Sequence, residues 1–144
     1  MIFTPKFRAP SLTTQLVICP VPLHYDSYKG CNVGGCIYCF ARDLVQFHWR
    51  NRSRCKFTDI EGNRPDLLGR WLKKTFDNLC INNPVSIALK KRIPIKIGAV
   101  SDPCPVQEKE YHITRDSLVE FARYNYPVQI QTKNPKILWE LLNE

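Results

Sequence analysis

Hydrophobic residues recur at helical spacing in the middle of the chain. A helix is predicted to open at Pro65, with Asn63 as a further start signal before it. Its apolar stripe consists of Leu67, Leu68, Trp71, Leu72, Phe76 and Leu79. A shorter helix is predicted from Pro84 to Lys91. This stretch therefore supplies covering helices rather than strands.

Strands and helices alternate in the rest of the second half. Ile95 to Val100 is predicted as a strand that Asp102-Pro103 stops, and Pro127 to Lys133 as the next strand. Between them, Thr114 can cap a helix that runs to about Tyr124. Asn134-Pro135 starts a last helix, in which the chain ends.

The strand at Pro127 has one mainly apolar and one polar face. Val128, Ile130 and Thr132 share the first face, and Gln129, Gln131 and Lys133 share the second. Parallel strands covered on both sides are usually apolar on both faces. The polar face is therefore expected to line a polar cavity, with a water-facing edge strand as the alternative.

The first half has weaker periodicity. Residues 1–13 are predicted as an irregular lead-in, and Gln15 to Val21 as a strand. A loop is expected from His24 to Cys39, followed by a short helix from Ala41 to Trp49. Arg50 to Lys56 is strongly basic.

The order of strands and helices predicts an α/β fold with right-handed βαβ units and a parallel sheet. The 144 residues suit a single domain. A closed (β/α) barrel typically takes about 250 residues. The chain is therefore expected to be part of such a barrel or a small open sheet, and the end within a helix favours a fragment.

Composition narrows the class of protein. The hydrophobic fraction of 44% is ordinary for a globular domain, and the net charge of +8 favours anionic partners or a solvated basic surface. The sequence has neither a long apolar span nor a signal-peptide pattern, which predicts a cytoplasmic protein without a membrane partner. Seven cysteines in a reducing compartment favour metal binding or catalysis over disulfides.

Three of these cysteines form a compact motif. Cys31, Cys36 and Cys39 lie within nine residues, in a segment with glycines at 30, 34 and 35. Thiolates are soft ligands that suit iron–sulfur clusters and zinc, and glycines let the backbone turn its amides toward such a centre. A structural zinc site usually has four protein ligands, whereas a cluster held by three leaves one iron open.

This loop resembles the cluster loop of the radical S-adenosylmethionine (SAM) superfamily, in which an aromatic residue precedes the last cysteine, as Tyr38 does here. The flanks Tyr28-Lys29-Gly30-Cys31 and Cys39-Phe40-Ala41-Arg42 are similar to the branch that contains spore photoproduct lyase. Pro94 to Glu108, with Ser101-Asp102-Pro103, and the strand at Pro127 resemble later motifs of that branch.

The resemblance implies the N-terminal part of a radical SAM barrel. Cys31, Cys36 and Cys39 would hold a 4Fe–4S cluster that binds SAM and cleaves it reductively to a 5′-deoxyadenosyl radical. Tyr38, Ser101 and Lys133 would contact SAM, with the Lys133 charge suited to its carboxylate. The resemblance also implies an electron donor of the flavodoxin or ferredoxin type. DNA or another nucleic acid is a candidate substrate, and DNA repair is a candidate role for the protein.

Two departures limit what is carried over. Four residues separate Cys31 from Cys36, where the family usually has three. Ala99 occupies the position of the hydrogen-donating cysteine of spore photoproduct lyase. The resemblance therefore supports the scaffold but assigns no substrate, catalytic residue or choice between lyase and transferase, and a truncated, inactive fragment remains an alternative.

Each of these residues also has a simpler interpretation as an ordinary structural residue. Lys133 can be an exposed strand-end lysine, Tyr38 a packing aromatic and Ser101 a turn residue. The remaining cysteines, Cys19, Cys55, Cys80 and Cys104, are expected to be small buried hydrophobic residues, with Cys55 the most reactive among them.

Two alternative functions remain open from sequence. A structural zinc module could take its fourth ligand from His24, His48 or Cys55. A non-catalytic nucleic-acid-binding module is suggested by the aromatic and arginine residues from Phe47 to Arg54.

Overall fold

Short strands alternate with helices in the structure, a computed structural model that describes residues 2–3, 7–13, 20–34, 36–39, 41–42, 57–78 and 83–143. The strands in this part of the chain are β1 (Ile2–Phe3), β2 (Ser11–Leu12), β3 (Leu23–Tyr25), β4 (Tyr28–Lys29), β5 (Glu61–Gly62), β6 (Ile95–Ile97) and β7 (Val128–Ile130). The helices are α1 (Pro65–Asp77), α2 (Pro84–Lys90), α3 (Glu108–Tyr111), α4 (Ile113–Ala122) and α5 (Pro135–Leu142).

The central sheet has the strand order β2-β3-β6-β7. Its last three strands are parallel, with Leu23 beside Ile95 and Ile95 beside Val128, whereas β2 is antiparallel to β3. A second sheet, β1-β5-β4, pairs β5 with β1 in parallel and with β4 in antiparallel. The predicted mixed α/β fold with parallel strands is confirmed, and the described strands do not close a barrel.

The hydrophobic core lies between the central sheet and its covering helices. Leu23 and Tyr25 of β3 are buried, while His24 between them is only partly buried, as the two-residue period of a strand requires. The buried members of the core are Leu23, Tyr25, Leu68, Leu72, Leu89, Ile95, Ile97, Phe121 and Tyr126.

Helix α1 presents the predicted apolar stripe to this core. Pro65 is its first residue, and Leu68, Leu72 and Thr75 are its buried residues. It packs mainly against α4. Leu79, the last member of the predicted stripe, lies outside the described residues.

Asn63 has a different role from the predicted start signal. The residue that precedes α1 is Arg64, whose side chain makes no capping bond. The buried Asn63 amide instead accepts from Arg8 N at 3.0 Å and donates to the carbonyl oxygens of Arg8 and Asp26 at 2.9 and 3.2 Å. It thereby ties the beginning of the chain to the end of β3.

The N-terminal predictions need correction. Residues 15–19 of the strand predicted from Gln15 to Val21 lie outside the described residues, and residues 20 and 21 are not in a strand. A strand that was not predicted begins at Leu23, directly after Pro22. The expected loop from His24 to Cys39 contains part of β3 and all of β4, and the lead-in contributes β1 and β2. These strands are too short to show a period in sequence, and they exist because a partner strand completes their hydrogen bonds.

The later elements match more closely but end earlier than predicted. Helix α2 is confirmed, and Asn83 caps it by accepting from Ser86 N at 2.9 Å. Strand β6 stops at Ile97 because Gly98 follows with a φ of +90°. Strand β7 stops at Ile130, before Lys133, and α5 ends at Leu142.

Thr114 does not cap the helix that it was predicted to start. Helix α4 begins one residue earlier, and His112 precedes it in the left-handed conformation. The Thr114 hydroxyl donates to the Pro103 carbonyl and lies 2.7 Å from Ser27 Oγ. The Thr114 hydroxyl therefore makes tertiary contacts instead of the helix-capping hydrogen bond that the sequence pattern predicted.

Strand β7 is the outer strand of the described central sheet. Gln129, Gln131 and Lys133 are exposed, whereas Val128 and Ile130 are partly buried. In the described structure the polar face is therefore exposed, as the alternative of a water-facing edge strand expects.

Candidate cofactor site at the carboxyl ends of the parallel strands

The parallel strands β3, β6 and β7 end at one edge of the central sheet. Asp26 follows β3, the segment from Gly98 to Asp102 follows β6, and the segment from Gln131 to Lys133 follows β7. Parallel α/β proteins usually build their sites at this edge.

Asp26 connects the first two strand ends. Its Oδ1 accepts from the backbone amides of Ala99 and Val100 at 3.0 and 3.1 Å, and from that of Ser101 at 3.5 Å. Burial raises the pKa of the Asp26 carboxyl, and the backbone hydrogen bonds partly oppose that shift. The turn after β6 is therefore wrapped around one carboxylate oxygen of β3.

Asp102 makes the corresponding connection to the third strand end. Its Oδ1 accepts from Cys104 N at 2.8 Å and from the Thr132 hydroxyl at 2.7 Å. Its Oδ2 accepts from Lys133 N at 2.6 Å. The carboxylate therefore fixes the backbone from which the Lys133 side chain extends.

The cysteine loop leaves β4 through Gly30. A Cβ at this position would lie 2.1 Å from the Asp59 carbonyl oxygen, and the φ of +82° also favours glycine. Cys31 then donates its amide to the Phe57 carbonyl at 2.8 Å. Cys31 and Cys39 both pack against the buried pair Ala41 and Phe57, so the two ends of the loop share one apolar support.

A tight turn carries the other two cysteines. Cys39 N donates to the Cys36 carbonyl at 3.2 Å, and Arg42 N donates to Cys39 Sγ at 3.4 Å. Cys31, Cys36 and Cys39 are free thiols and partly exposed. Within the described part of the chain, no three His, Cys, Asp or Glu side chains converge as a metal site. The structure thus brings the three thiols onto one loop without gathering them around a point.

Tyr38 and Lys133 join the cysteine loop to the end of β7. The Lys133 ammonium lies 4.7 Å from the centroid of the Tyr38 ring and donates to its hydroxyl. The hydrogen bond with Tyr38 raises the pKa of Lys133. Tyr38 is 69% exposed, so it is not a core-packing aromatic. Two of the three residues expected to bind SAM therefore contact each other.

Ser101 is the third residue expected to bind SAM, and it supports the cysteine loop through a hydrogen bond to the backbone. It is buried, and its hydroxyl donates to the Tyr28 carbonyl, three residues before Cys31. Its side chain is thus engaged with backbone, as the turn-residue interpretation expects.

A buried acid stabilises the same region. The Tyr28 hydroxyl donates to Glu108, which also accepts from the amides of Thr114 and Arg115 at 3.0 and 2.9 Å. Both side chains are fully buried. Burial raises the pKa of Glu108 and that of Tyr28. The sequence motif included Glu108 without a role, and the structure shows it anchoring the strand that enters the cysteine loop.

The remaining candidate ligands lie apart or outside the described residues. His24 Nε2 is 3.0 Å from Ser11 Oγ, so this ring is engaged with β2. Cys104 is fully buried as predicted, and burial raises its pKa to about 12. The other candidates are not among the described residues. They are His48, the segment Phe47–Arg54, the predicted helix after Arg42, and Cys19, Cys55 and Cys80.

Two cavities described in the structure lie away from the cysteine loop. One, of about 330 Å3, is lined by Asp66, Gly69, Arg70, Lys73, Glu120, Arg123 and Tyr124. The other, of about 240 Å3, is lined by Lys109, His112, Ile137, Glu140 and Leu141. No helix in the described part of the chain is long and apolar enough to cross a membrane.

Comparison with known proteins identifies no family for this chain. No protein-family model, curated protein or solved structure matches it. The site must therefore be interpreted from its own residues. The residue that sequence reasoning missed is Asp26, although an acid directly after a buried strand is a detectable signal for this edge of the sheet.

Proposed function

We propose that this chain is the N-terminal part of a radical SAM core, in which Cys31, Cys36 and Cys39 hold a 4Fe–4S cluster. The observation that supports it best is the contact between Lys133 and Tyr38. It places a cation from the third parallel strand directly beside the loop that carries the three thiols. The thiols proposed as cluster ligands and the cation proposed to bind the SAM carboxylate are therefore on neighbouring segments.

The donor set fits such a cluster by its chemistry. Three free thiols lie on one partly exposed loop, and soft thiolates are the usual ligands of iron–sulfur centres. The hydrogen bond from Arg42 N to Cys39 Sγ is of the kind that stabilises a ligating sulfur. Because the thiols do not yet converge, we expect metal loading to order the turn between Gly34 and Cys39.

A 4Fe–4S cluster held by the three thiolates would, when reduced, supply the one electron that cleaves SAM into methionine and a 5′-deoxyadenosyl radical. The chain orients that cofactor. Lys133 offers its ammonium to the SAM carboxylate, exchanging the Tyr38 hydroxyl for a charged acceptor. Tyr38 presents its exposed ring on the cysteine loop. Ser101 fixes the backbone that leads into this loop by donating to the Tyr28 carbonyl.

The proposed substrate class rests on the charge of the chain, and the proposed electron donor rests on the resemblance to radical SAM enzymes. The net charge of +8 makes a nucleic acid our proposed substrate class. A small flavodoxin or ferredoxin would deliver the electron, and a reducing cytoplasm would keep the thiols free.

The direct test is anaerobic reconstitution of the full chain with iron and sulfide. Electron paramagnetic resonance of the dithionite-reduced protein is recorded with and without SAM. We expect a 4Fe–4S signal that changes when SAM is added. Cys31→Ala, Cys36→Ala and Cys39→Ala should each lose cluster iron.

Cys104→Ala is the matched control, because it removes a buried thiol that lies outside the loop. It should retain the cluster and the response to SAM. A chain that binds one zinc through thiolates and no cluster would overturn the proposal in favour of a structural zinc module. A cluster signal that ignores SAM would also contradict it, since the open iron would then lack its ligand.

A further inference from the structure

Two aspartates each connect the end of one parallel strand to the turn after the next. Asp26 follows β3 and holds the turn after β6, and Asp102 follows β6 and holds the turn after β7. From this geometry we infer that Asp26 and Asp102 are positioning residues for the SAM site, each fixing the backbone of a residue that the proposed site uses. The inference rests on the proposed function, in which Lys133 contacts SAM and Ser101 supports the cysteine loop.

The two carboxylates work through different atoms. Asp26 uses Oδ1 alone for the amides of Ala99, Val100 and Ser101. An asparagine at this position keeps that oxygen and can accept the same bonds. The Asp26 charge is therefore dispensable for the brace, while one oxygen at this place is required.

Asp102 uses both of its oxygens. Oδ1 accepts hydrogen bonds from Cys104 N and the Thr132 hydroxyl, and Oδ2 accepts one from Lys133 N. An asparagine has only one acceptor oxygen, so its NH2 group must face an N–H donor at one of these positions. Asp102→Asn therefore breaks the brace on one side, although its size is unchanged.

Freeing the Lys133 backbone matters because the lysine side chain is long and exposed. A fixed backbone limits where the ammonium can lie, and the neighbouring bond from Gln131 N to the Ile97 carbonyl at 3.0 Å fixes the other side of the turn. Without Asp102, the segment from Gln131 to Asn134 must be ordered when SAM binds. That ordering lowers affinity without removing any contact to SAM.

The experiment compares Asp26→Asn, Asp102→Asn and Asp77→Asn in the full chain. Asp77 is an exposed acid at the end of α1 and serves as the matched control. Amide hydrogen exchange of residues 98–104 and 131–134 is measured on the metal-free protein. The SAM dissociation constant, cluster iron content and melting temperature are measured after reconstitution.

We expect Asp102→Asn to speed exchange of the 131–134 amides and to weaken SAM binding about tenfold, which is roughly the cost of ordering the backbone of one residue. Its iron content should match the wild type. Asp26→Asn and Asp77→Asn should behave like the wild type in both measurements.

Three results would overturn the inference. The first is wild-type SAM affinity in Asp102→Asn, and the second is equal loss in Asp26→Asn and Asp102→Asn, since the one-oxygen and two-oxygen braces must differ. The third is a loss of SAM affinity only in proportion to iron or to thermal stability, which would indicate a general structural role. If the wild type takes up no cluster, the proposed function and the cofactor role both fail, and hydrogen exchange alone shows whether the carboxylates hold the turns.

Discussion

The Lys133 ammonium lies over the ring of Tyr38 and donates to its hydroxyl, although the two residues are 95 positions apart. Both side chains are exposed, and the contact bridges the end of β7 and the turn between Cys36 and Cys39. A cation over an aromatic face is attracted by the ring quadrupole. The relationship therefore connects the motif of the first half of the chain with that of the second.

Tyr38→Phe and Tyr38→Leu should separate the two parts of this contact. The upfield ring-current shift of the Lys133 side-chain protons should persist in Tyr38→Phe and vanish in Tyr38→Leu. Because the hydrogen bond with Tyr38 raises the pKa of Lys133, both variants should lower that pKa toward its ordinary value. Carbon-13 NMR titration of Lys133 checks this, and the unchanged signals of Lys136 are the control. Identical spectra in all three proteins would contradict the contact.

Replacing Gly98 should damage the sheet edge. Its φ is +90°, and a Cβ there would lie 2.4 Å from the Gln131 carbonyl oxygen and 2.7 Å from Pro103 Cδ. Gly98→Ala should lower the free energy of unfolding by more than the roughly 1–2 kcal/mol that the left-handed conformation costs alone. Urea unfolding measures the loss.

Gly34→Ala provides the matched comparison for Gly98. Gly34 also has a positive φ, of +118°, but a Cβ there would meet no atom of the described residues within 4 Å. Its substitution should cost only the conformational strain. Equal losses in Gly34→Ala and Gly98→Ala would show that the close approach to Gln131 is unimportant.

The stability of the chain should depend on pH through Glu108. Burial raises the pKa of this carboxyl in the folded state above its unfolded value. Its stabilising contribution is then complete below the unfolded pKa and is lost as pH rises through the folded pKa. Glu108→Gln cannot ionise, so its deficit in free energy of unfolding relative to wild type should shrink from pH 4 to pH 8. Urea unfolding across that range tests this, and a deficit that grows with pH would refute it.

Asn63→Ala should detach the beginning of the chain from the sheet. The substitution leaves Arg8 N and the carbonyl oxygens of Arg8 and Asp26 without their partner. We expect a loss of at least about 2 kcal/mol, because buried polar groups that lose a partner are costly. Asn143→Ala, at an exposed asparagine beyond α5, should leave the unfolding free energy almost unchanged. A similar effect of the two substitutions in urea unfolding would argue against the anchoring role.

The longer elements could be predicted because their patterns are local. Pro65 and the stripe that includes Leu68 and Leu72 specify α1 within one segment, since a helix makes its hydrogen bonds to itself. The parallel strands β6 and β7 were also found, although each ended earlier than predicted. Three thiols within nine residues form a local signal, and residues 31–34 and 36–39, which carry them, lie in neither a strand nor a helix.

The short strands and the braces could not be predicted. β1, β2 and β4 have two residues each, and they depend on a partner strand that the local sequence does not reveal. Thr114 was expected to cap a helix, but its hydroxyl meets Pro103 and Ser27 from other segments. Such long-range hydrogen bonds override local preference, because a buried hydroxyl must find a partner wherever one lies.

The sequence by itself determined the α/β alternation, the three thiols and the residue types at the strand ends. Only the tertiary structure decided that Asp26 holds the turn of Ser101 and that Asp102 holds the turn of Lys133. The physical reason is that parallel strands distant in sequence end at one edge, where a carboxylate of one strand meets the free backbone amides of the next.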